Sequence, residues 1–284
     1  RCIYYQGAGY WNAYEGYFRD LDSPPDNYED IMLGRLPIKL SGPTAYLSTI
    51  VNKTIEYEKS PTTGDWRRRG LLIAGPGAGY SLFNGKVTEA TPYFTDIDYD
   101  TLTVRAHMFP IDSFPKVVDS CLNRGEIITA FYDHGGPYGW NYNYGNWYAE
   151  DLENGDSLPV ILSYACRPAF FHWDHPVNDT IVPNDTIRIC FGEVILKISD
   201  RGSVAFYGAT SPIWISYYNT RPIKRILQDN YWILGEAVIN TTPNTEQNCF
   251  CLLGDPALDI GDYTAYLNLP DLLVRPHGLD IFIE

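Results

Sequence analysis

The sequence has no apolar run long enough to cross a membrane and no concentration of positive charge. Its apolar stretches end after a handful of residues, whereas a membrane-spanning helix needs about 20. Lys and Arg number 21 against 35 Asp and Glu, which gives a formal net charge of −14. The one basic run, residues 67–69, is interpreted as a solvated entry to a strand. We therefore predict no membrane span and no nucleic-acid partner.

Cysteine is also scarce, at 6 residues in 284. Six are too few for a disulfide scaffold, and the absence of C-x-x-C pairs argues against a cysteine-ligated metal site. If Cys166 stays reduced, the other five allow at most two disulfides, and their pairing is open. No cofactor and no metal site are predicted, although a structural Ca²⁺ is left open.

Hydrophobic residues make up 45% of the chain, enough to build a core. Short apolar runs typical of strands alternate with helical patterns, which predicts an α/β fold with a largely parallel sheet and helices on both faces. The predicted strands lie at 31–37, 70–74, 101–106, 127–132, 160–164 and 203–207, and the predicted helices at 43–59, 113–122, 191–198 and 221–238. The first helix is expected to turn one face to the core, made of Leu47, Ile50, Val51, Thr54 and Ile55.

Two of the predicted strands end close to a reactive side chain. His134 follows the strand at 127–132, and Cys166 follows the strand at 160–164. Ligands of open α/β sheets bind at the carboxyl ends of the strands, so a His and a Cys delivered there could meet across one crevice. That arrangement suits a thiol nucleophile and its base. The residues alone also allow a structural interpretation, with Cys166 as a small buried apolar residue and His134 as a turn residue.

Two further segments are candidates for a substrate cleft. The glycine-rich segment 75–80 lacks the Lys-Ser/Thr of a phosphate loop, so it is predicted to line a cleft instead. An aromatic segment, 138–148, is predicted to be an exposed loop that favours apolar or aromatic substrate side chains. The residues expected to line the cleft are Gly77, Tyr80, Trp140 and Trp147.

Five segments, taken in order, resemble the gingipain-like cysteine peptidases of family C25. They are residues 29–37, 55–58, 134–136, 158–166 and 253–258. The resemblance implies a caspase-like three-layer α/β/α sandwich, followed by the start of an immunoglobulin-like β module. It divides the chain into a partial first α/β sub-domain, a catalytic α/β sub-domain and a β tail, at 1–62, 63–262 and 263–284.

For the chemistry, the resemblance implies that Cys166 is the nucleophile and that His134 is its general base and acid. The backbone N–H groups of Gly135 and Cys166 would form the oxyanion hole. The implied activity is cleavage of protein or peptide substrates by an endopeptidase that is secreted or attached to the cell surface.

Four places in the sequence depart from the family's pattern. Asp133 precedes His134 where the family has Gly, and Gly136 takes the place of Ser. The Asp133 carboxylate could raise the pKa of the imidazole or point into solvent. Some members orient the His with an acid where 75–77 here reads Gly-Pro-Gly, and the following loop, 84–88, lacks the acid of the Arg-selecting members. Specificity for Arg is therefore not predicted.

Four N-x-S/T sequons suggest an extracellular glycoprotein. The acceptor residues are Asn52, Asn178, Asn184 and Asn240. The chain begins at Arg1 and shows no signal peptide, so it is interpreted as a processed or partial product.

Two functions are compatible with these residues. The first is a secreted cysteine endopeptidase that uses Cys166 and His134, and one form of it is a maturation enzyme that cleaves its own chain. The second is a catalytically idle peptidase-fold module that serves in surface adhesion or filament assembly. Alkylation separates the two, because an activated thiolate reacts at neutral or lower pH.

Overall fold

The computed structural model describes most of the chain between Leu21 and Gly261. The residues described in full are 21–22, 28–38, 45–141, 144–172, 189–214, 218–241 and 249–261, and four short strands near the two ends are described by their backbone. In chain order the strands are β1 (Cys2–Tyr5), β2 (Tyr10–Ala13), β3 (Gly34–Arg35), β4 (Arg69–Ala74), β5 (Asp100–Arg105), β6 (Ile128–Tyr132), β7 (Gly135–Gly136), β8 (Gly139–Trp140), β9 (Tyr144–Gly145), β10 (Val160–Tyr164), β11 (Ala205–Ala209), β12 (Phe250–Leu253), β13 (Leu272–Leu273) and β14 (Phe282–Ile283). The helices are α1 (Ala45–Lys59), α2 (Tyr80–Thr95), α3 (Phe114–Leu122), α4 (Asn146–Glu150), α5 (Phe191–Lys197), α6 (Arg221–Leu227) and α7 (Leu234–Val238).

Seven strands form the central sheet, in the order β3-β12-β11-β10-β6-β4-β5. In this sheet β11, β10, β6, β4 and β5 run parallel to one another. Strand β12 is antiparallel to β11, and β3 is parallel to β12. The predicted, largely parallel sheet is confirmed. Five neighbouring strands therefore end at one side of the sheet, which we call the carboxyl edge; β4 ends there at Ala74, β6 at Tyr132 and β10 at Tyr164.

Apolar side chains alternate along the strands and so build two cores. On β4, Leu72 faces the core that contains Phe83 of α2, whereas Leu71 faces the core that contains Val118 of α3 and Ile195 of α5. Because the second core lies on the opposite face of the sheet, helices cover both faces. The three-layer α/β/α sandwich is confirmed.

Helix α2 is not predicted by the sequence, and 84–88 is helical rather than a loop. The segment has weak helical propensity because it contains Gly85 and Pro92. It folds as a helix since it buries Phe83, Val87 and Phe94 against the sheet. Packing therefore outweighs local propensity in this helix.

The helix predicted at 221–238 is wrong, because a turn separates α6 from α7. Asn230 has φ 60°, the left-handed conformation in which helices commonly terminate. Farther upstream, the strand predicted at 31–37 is reduced to the two residues of β3.

The buried face of α1 also differs from the prediction. Leu47 and Ile55 are 40% and 42% exposed, whereas Lys53 is buried. The Lys53 Nζ donates hydrogen bonds to the carbonyls of Leu196, Ile198 and Arg201 at 3.0, 3.1 and 2.9 Å. Because these carbonyls bind Lys53, α1 turns Lys53 toward the core and leaves Leu47 and Ile55 partly in solvent.

Arg67, expected in solvent, is fully buried. Its guanidinium donates to the carbonyls of Tyr57, Thr62 and Gly261 at 3.2–3.3 Å. The same group lies over the rings of Tyr57 and Trp66, with centroid distances of 4.4 and 4.6 Å. Carbonyl and aromatic partners replace the water that the sequence interpretation assumed.

The predicted domain limits stay predictions. β3, from the predicted first sub-domain, belongs to the same sheet as the strands of the catalytic sub-domain. In the tail, β13 and β14 pair antiparallel, which agrees with the expected short strands but does not establish an immunoglobulin-like module.

Among the described residues no helix is long and apolar enough to cross a membrane. All five cysteines with described side chains are free.

Candidate active site

His134 and Cys166 follow the ends of two neighbouring strands at the carboxyl edge. Tyr132 and Tyr164, the last residues of β6 and β10, are register partners on neighbouring parallel strands. His134 follows Tyr132 by two positions, and Cys166 follows Tyr164 by two positions. The pairing continues beyond the strands, because the Asp133 N–H donates to the Tyr164 carbonyl at 3.3 Å. The chain thus brings both side chains to the same part of one edge.

The Cys166 thiol is half-buried, and its Sγ lies 3.7 Å from the Ile213 carbonyl oxygen. The next residue, Arg167, has φ 65°, a conformation that is unfavourable for a non-glycine residue. Its N–H donates to the Ser211 carbonyl at 3.3 Å, which ties this turn to the segment after β11. Backbone strain of this kind persists only where surrounding structure enforces it, so the position of Cys166 is closely determined.

The imidazole of His134 is anchored by main chain. Its Nε2 lies 2.9 Å from the Ala78 carbonyl oxygen, and its ring meets the edge of Phe83 with centroids 5.8 Å apart. Since a carbonyl can only accept, we assign the proton of the neutral ring to Nε2. Nδ1 is then the basic nitrogen, available to take a proton from a thiol.

Asp133 does not point into solvent, because its side chain is fully buried. One carboxylate oxygen accepts the His134 N–H at 2.6 Å, and the other accepts the Gly77 N–H at 3.1 Å. Burial raises the pKa of Asp133 to about 6, although the N–H donors of His134 and Gly77 act in the opposite direction. The carboxylate is therefore held by the backbone around His134, and the Asn141 side chain also bonds it.

The two predicted oxyanion donors also come together. A side chain at Gly135 would approach the Ala165 Cβ to 2.9 Å and the Cys166 carbonyl oxygen to 3.4 Å, so the Gly135 backbone lies against the Cys166 segment. Gly135 pairs with Trp140 in the small antiparallel sheet of β7, β8 and β9. Glycine is needed here because the two loops approach so closely. The oxyanion role of both residues stays a prediction.

Tyr218 is a site residue that the sequence analysis missed. Its hydroxyl donates to the Asp133 carbonyl at 2.7 Å, and its ring stacks on Phe83 with centroids 5.5 Å apart. Burial raises the pKa of Tyr218 far above its usual value, and the nearby Cys166 and Asp133 charges act in the same direction. No motif singles out this tyrosine; only the strand order of the sheet brings it to the site.

A family model for peptidase family C25 matches residues 3–261, which is nearly the whole chain. The chain belongs to peptidase family C25.

Relatives in family C25 include gingipains of Porphyromonas gingivalis. Gingipain R2 is 26% identical over 184 residues, which cover 62% of this chain and 22% of that protein. Lys-gingipain is 25% identical over 212 residues, which cover 70% of this chain and 10% of that protein. The chain therefore spans less than a quarter of the curated relatives that it matches.

Solved structures show the same fold. Gingipain R, described as an Arg-specific cysteine proteinase, matches with a TM-score of 0.69 at 20% identity, over 87% of this chain and 59% of the other. A complex of gingipain pro- and mature domains from P. gingivalis matches with a TM-score of 0.67 at 20% identity, over 91% and 63% of the two chains. The caspase-like α/β/α fold of family C25 is thereby confirmed.

Within this C25 fold, the prediction that Trp140 lines a cleft is wrong. Trp140 is 3% exposed, stacks on Phe131 with centroids 4.3 Å apart and donates its Nε1–H to the Ser163 hydroxyl at 2.8 Å. The aromatic segment folds inward because β8 pairs with β7 and β9 and carries this ring to the core. Trp147 is 52% exposed, and its place in a cleft stays a prediction.

The glycine-rich segment is divided between core and surface. Gly77 is buried and contacts Asp133, and its place in the cleft wall stays a prediction. Tyr80 is partly exposed, and its hydroxyl contacts Nδ1 of His107 and, at 3.3 Å, the side-chain oxygen of Asn84. Its role in substrate binding stays a prediction.

The structure describes the predicted metal and glycosylation sites only in part. Within the described residues, no group of three or more His, Cys, Asp and Glu could hold a metal, and a structural Ca²⁺ stays a prediction. Asn52 is exposed on α1, whereas the Asn240 side chain bonds both main-chain groups of Glu29 at 2.9 and 3.1 Å. Asn178 and Asn184 lie outside the described residues. Glycosylation of the four sequons stays a prediction.

Proposed function

We propose that this chain is the catalytic part of a cysteine endopeptidase with Cys166 as nucleophile and His134 as general base and acid. The observation that supports this most directly is the pairing of two neighbouring strand ends, one followed by the thiol and the other by an imidazole whose Nε2 faces a carbonyl. An imidazole held in this way presents its basic nitrogen for proton transfer.

The chemistry follows the usual course of a thiol peptidase. The thiol proton of Cys166 passes to Nδ1 of His134, and the thiolate electron pair forms a bond to the scissile carbonyl carbon. The N–H groups of Gly135 and Cys166 stabilise the oxyanion. Collapse of this intermediate breaks the C–N bond, and the imidazolium gives its proton to the leaving amine. Water, deprotonated by His134, then hydrolyses the thioester and restores the thiol.

The specificity we propose is for apolar or aromatic side chains and not for Arg. Trp214 is 74% exposed and directly follows Ile213, whose carbonyl contacts the thiol, which supports an aromatic side chain near the nucleophile. Glu89 directly follows segment 84–88. Its carboxylate accepts hydrogen bonds from Lys86 at 2.7 Å and from Thr220 at 2.5 Å. It is therefore a poor partner for a substrate guanidinium.

We propose an extracellular or cell-surface location and leave self-processing as a form of the same activity. Four sequons support the location. One similar solved structure contains the pro- and mature domains of a gingipain, which makes cleavage within a precursor of this chain a reasonable expectation.

The deciding experiment is Cys166→Ala, assayed with fluorogenic peptides that carry apolar, aromatic, Arg or Lys residues before the cleaved bond. We expect the variant to lose hydrolysis by at least about 10³-fold. Cys121→Ala is the matched control, because Cys121 is another free, half-buried cysteine. Full activity of Cys166→Ala would refute the proposal, and preferred cleavage after Arg would refute the specificity.

The second candidate function is an idle structural module. It is favoured by the Cys166 Sγ contact with a main-chain carbonyl, which gives the thiol a partner other than an imidazole. In that case iodoacetamide would label Cys166 only near the pH of an ordinary thiol, about 8.5. Labelling at pH 6 to 7 supports the peptidase.

A further inference from the structure

Asp133 joins three segments of the carboxyl edge. Its carboxylate accepts the Gly77 N–H from the segment after β4, its carbonyl accepts the Tyr218 hydroxyl from the segment after β11, and its own N–H donates to Tyr164 at the end of β10. The Asp133 side chain is fully buried. The mechanism above gives Asp133 no proton to transfer.

The segment after β4 is shaped to receive this carboxylate. A Cβ atom at Gly75 or at Gly77 would overlap the Asp133 side-chain oxygens, and at Gly77 it would also approach the His134 Cδ2 to 2.7 Å. Glycine at both positions leaves room for the carboxylate and exposes the Gly77 N–H to it. Neither glycine has a positive φ, so the loop conformation alone does not require glycine at either position.

The contact at Gly77 controls the next residue in the chain, which touches the imidazole. Ala78 supplies the carbonyl that lies 2.9 Å from the His134 Nε2. Ala78 is itself exposed. The hydrogen bond from Gly77 to Asp133, one residue earlier, therefore restrains the carbonyl that selects the tautomer of the ring.

We propose that Asp133 is a positioning residue, whose carboxylate fixes the Ala78 carbonyl and through it the orientation of His134. This inference rests on the proposed peptidase function. An acid placed directly beside the imidazole is unnecessary in this arrangement, because the acid acts on the main chain and the main chain acts on the ring.

Asp133→Asn tests the inference, since Asn matches the size of Asp but cannot accept both N–H groups through two oxygens. We expect kcat to fall about 10- to 100-fold while KM changes less than about threefold. The midpoint of Cys166 alkylation against pH should move toward the value of an ordinary thiol, about 8.5.

Glu126→Gln is the matched control, because Glu126 is also fully buried and lies just before β6, at the other end of the strand. Its kcat and its alkylation profile should stay within about twofold of wild type. A structural role for Asp133 alone would lower the amount of folded protein without changing kcat per folded molecule or the alkylation midpoint.

A measurement on the wild-type protein covers the case in which Asp133→Asn does not fold. The Asp133 carboxyl ¹³C resonance should titrate near pH 6, and the Gly77 amide ¹H resonance should shift with that midpoint. The ring ¹⁵N resonances of His134 should report an Nε2–H tautomer at pH 7. The titratable groups in contact with Asp133 are His134 and Tyr218, and the tyrosine stays neutral in this range.

The outcomes separate the two proposals. If wild type neither cleaves peptides nor shows an activated thiol, the peptidase function fails. If wild type is active and Asp133→Asn keeps its kcat, Asp133 is not a positioning residue. An Nδ1–H tautomer of His134, or a Gly77 amide resonance that ignores the Asp133 titration, would also overturn the inference.

Discussion

The two ends of β6 carry buried carboxyl groups in contrasting surroundings. Glu126, before the strand, accepts one hydrogen bond from Thr129 at 2.9 Å, and its other oxygen has no partner among the described residues. Asp133, after the strand, accepts backbone N–H groups on both oxygens. Burial raises the pKa of Glu126 to about 8 and that of Asp133 to about 6.

The difference shows what the backbone donors do. Both groups lose solvation, but the N–H groups at the carboxyl edge stabilise the charged form of Asp133 and keep it nearer its ordinary range. Glu126 lacks such donors and resists ionisation. The carboxyl edge therefore favours the ionised form of Asp133 beside His134, whereas the opposite end of β6 favours the neutral form of Glu126.

The largest effect should come from His134→Ala at the carboxyl edge. Loss of the general base is expected to lower kcat by about 10² to 10⁴-fold, with a stability change under about 1 kcal/mol because the ring is half-exposed. His107→Ala is the control, since His107 is an exposed histidine near the end of β5. Equal activities of the two variants would remove the functional distinction between the edge and the rest of the fold.

Glu126→Gln should change stability instead. Because the folded-state pKa of Glu126 is raised from 4.5 to about 8, its stabilising effect is present below pH 4.5 and is lost as the pH rises toward 8. The slope is at most about 1.4 kcal/mol per pH unit. Gln stays neutral, so the variant should show a flatter profile. Urea unfolding at pH 5, 6, 7 and 8 measures this, and identical slopes would contradict it.

Gly77→Ala should affect both stability and activity. The new Cβ would press on Asp133 and His134, so we expect a loss of about 1–3 kcal/mol and about a tenfold drop in kcat. Gly85→Ala has nothing within 4 Å of the added atom and lies on the exposed face of α2, so a gain of about 0.5–1 kcal/mol is expected. Thermal melting and peptide assays check both, and similar results for the pair would weaken the argument for a close fit.

The smallest effect on stability is expected for Trp214→Ala. At 74% exposure the ring contributes little to folding, so unfolding should change by less than about 0.5 kcal/mol. KM for peptides with apolar or aromatic side chains should rise several-fold. Trp147→Ala, which removes another exposed tryptophan, shows whether the predicted cleft extends to that side. No KM change in either variant would place the substrate elsewhere.

Much of the site could be read from local sequence. The apolar runs at 127–132 and 160–164 are self-evident strands, and parallel strands necessarily bring the residues that follow them to one edge. The alternation of strands and helices was enough for the sandwich. These features follow from the periodicity of neighbouring residues, which the sequence displays directly.

Other features depended on partners far away in the chain. Helix α2 forms despite Gly85 and Pro92 because the sheet offers a surface for its apolar face. Trp140 is buried because Ser163 and Phe131 receive it. In both cases the distant surroundings overrode a local signal that favoured a loop.

By itself, the sequence determined the fold class and the two strand ends, and it singled out Cys166 and His134 as the candidate nucleophile and base. Only the tertiary structure decided that Asp133 turns inward, because its hydrogen-bond partner Gly77 lies 56 residues earlier in the chain. The physical reason is that periodicity is a property of neighbours, whereas burial and hydrogen bonding depend on whichever groups the fold brings within about 3 Å.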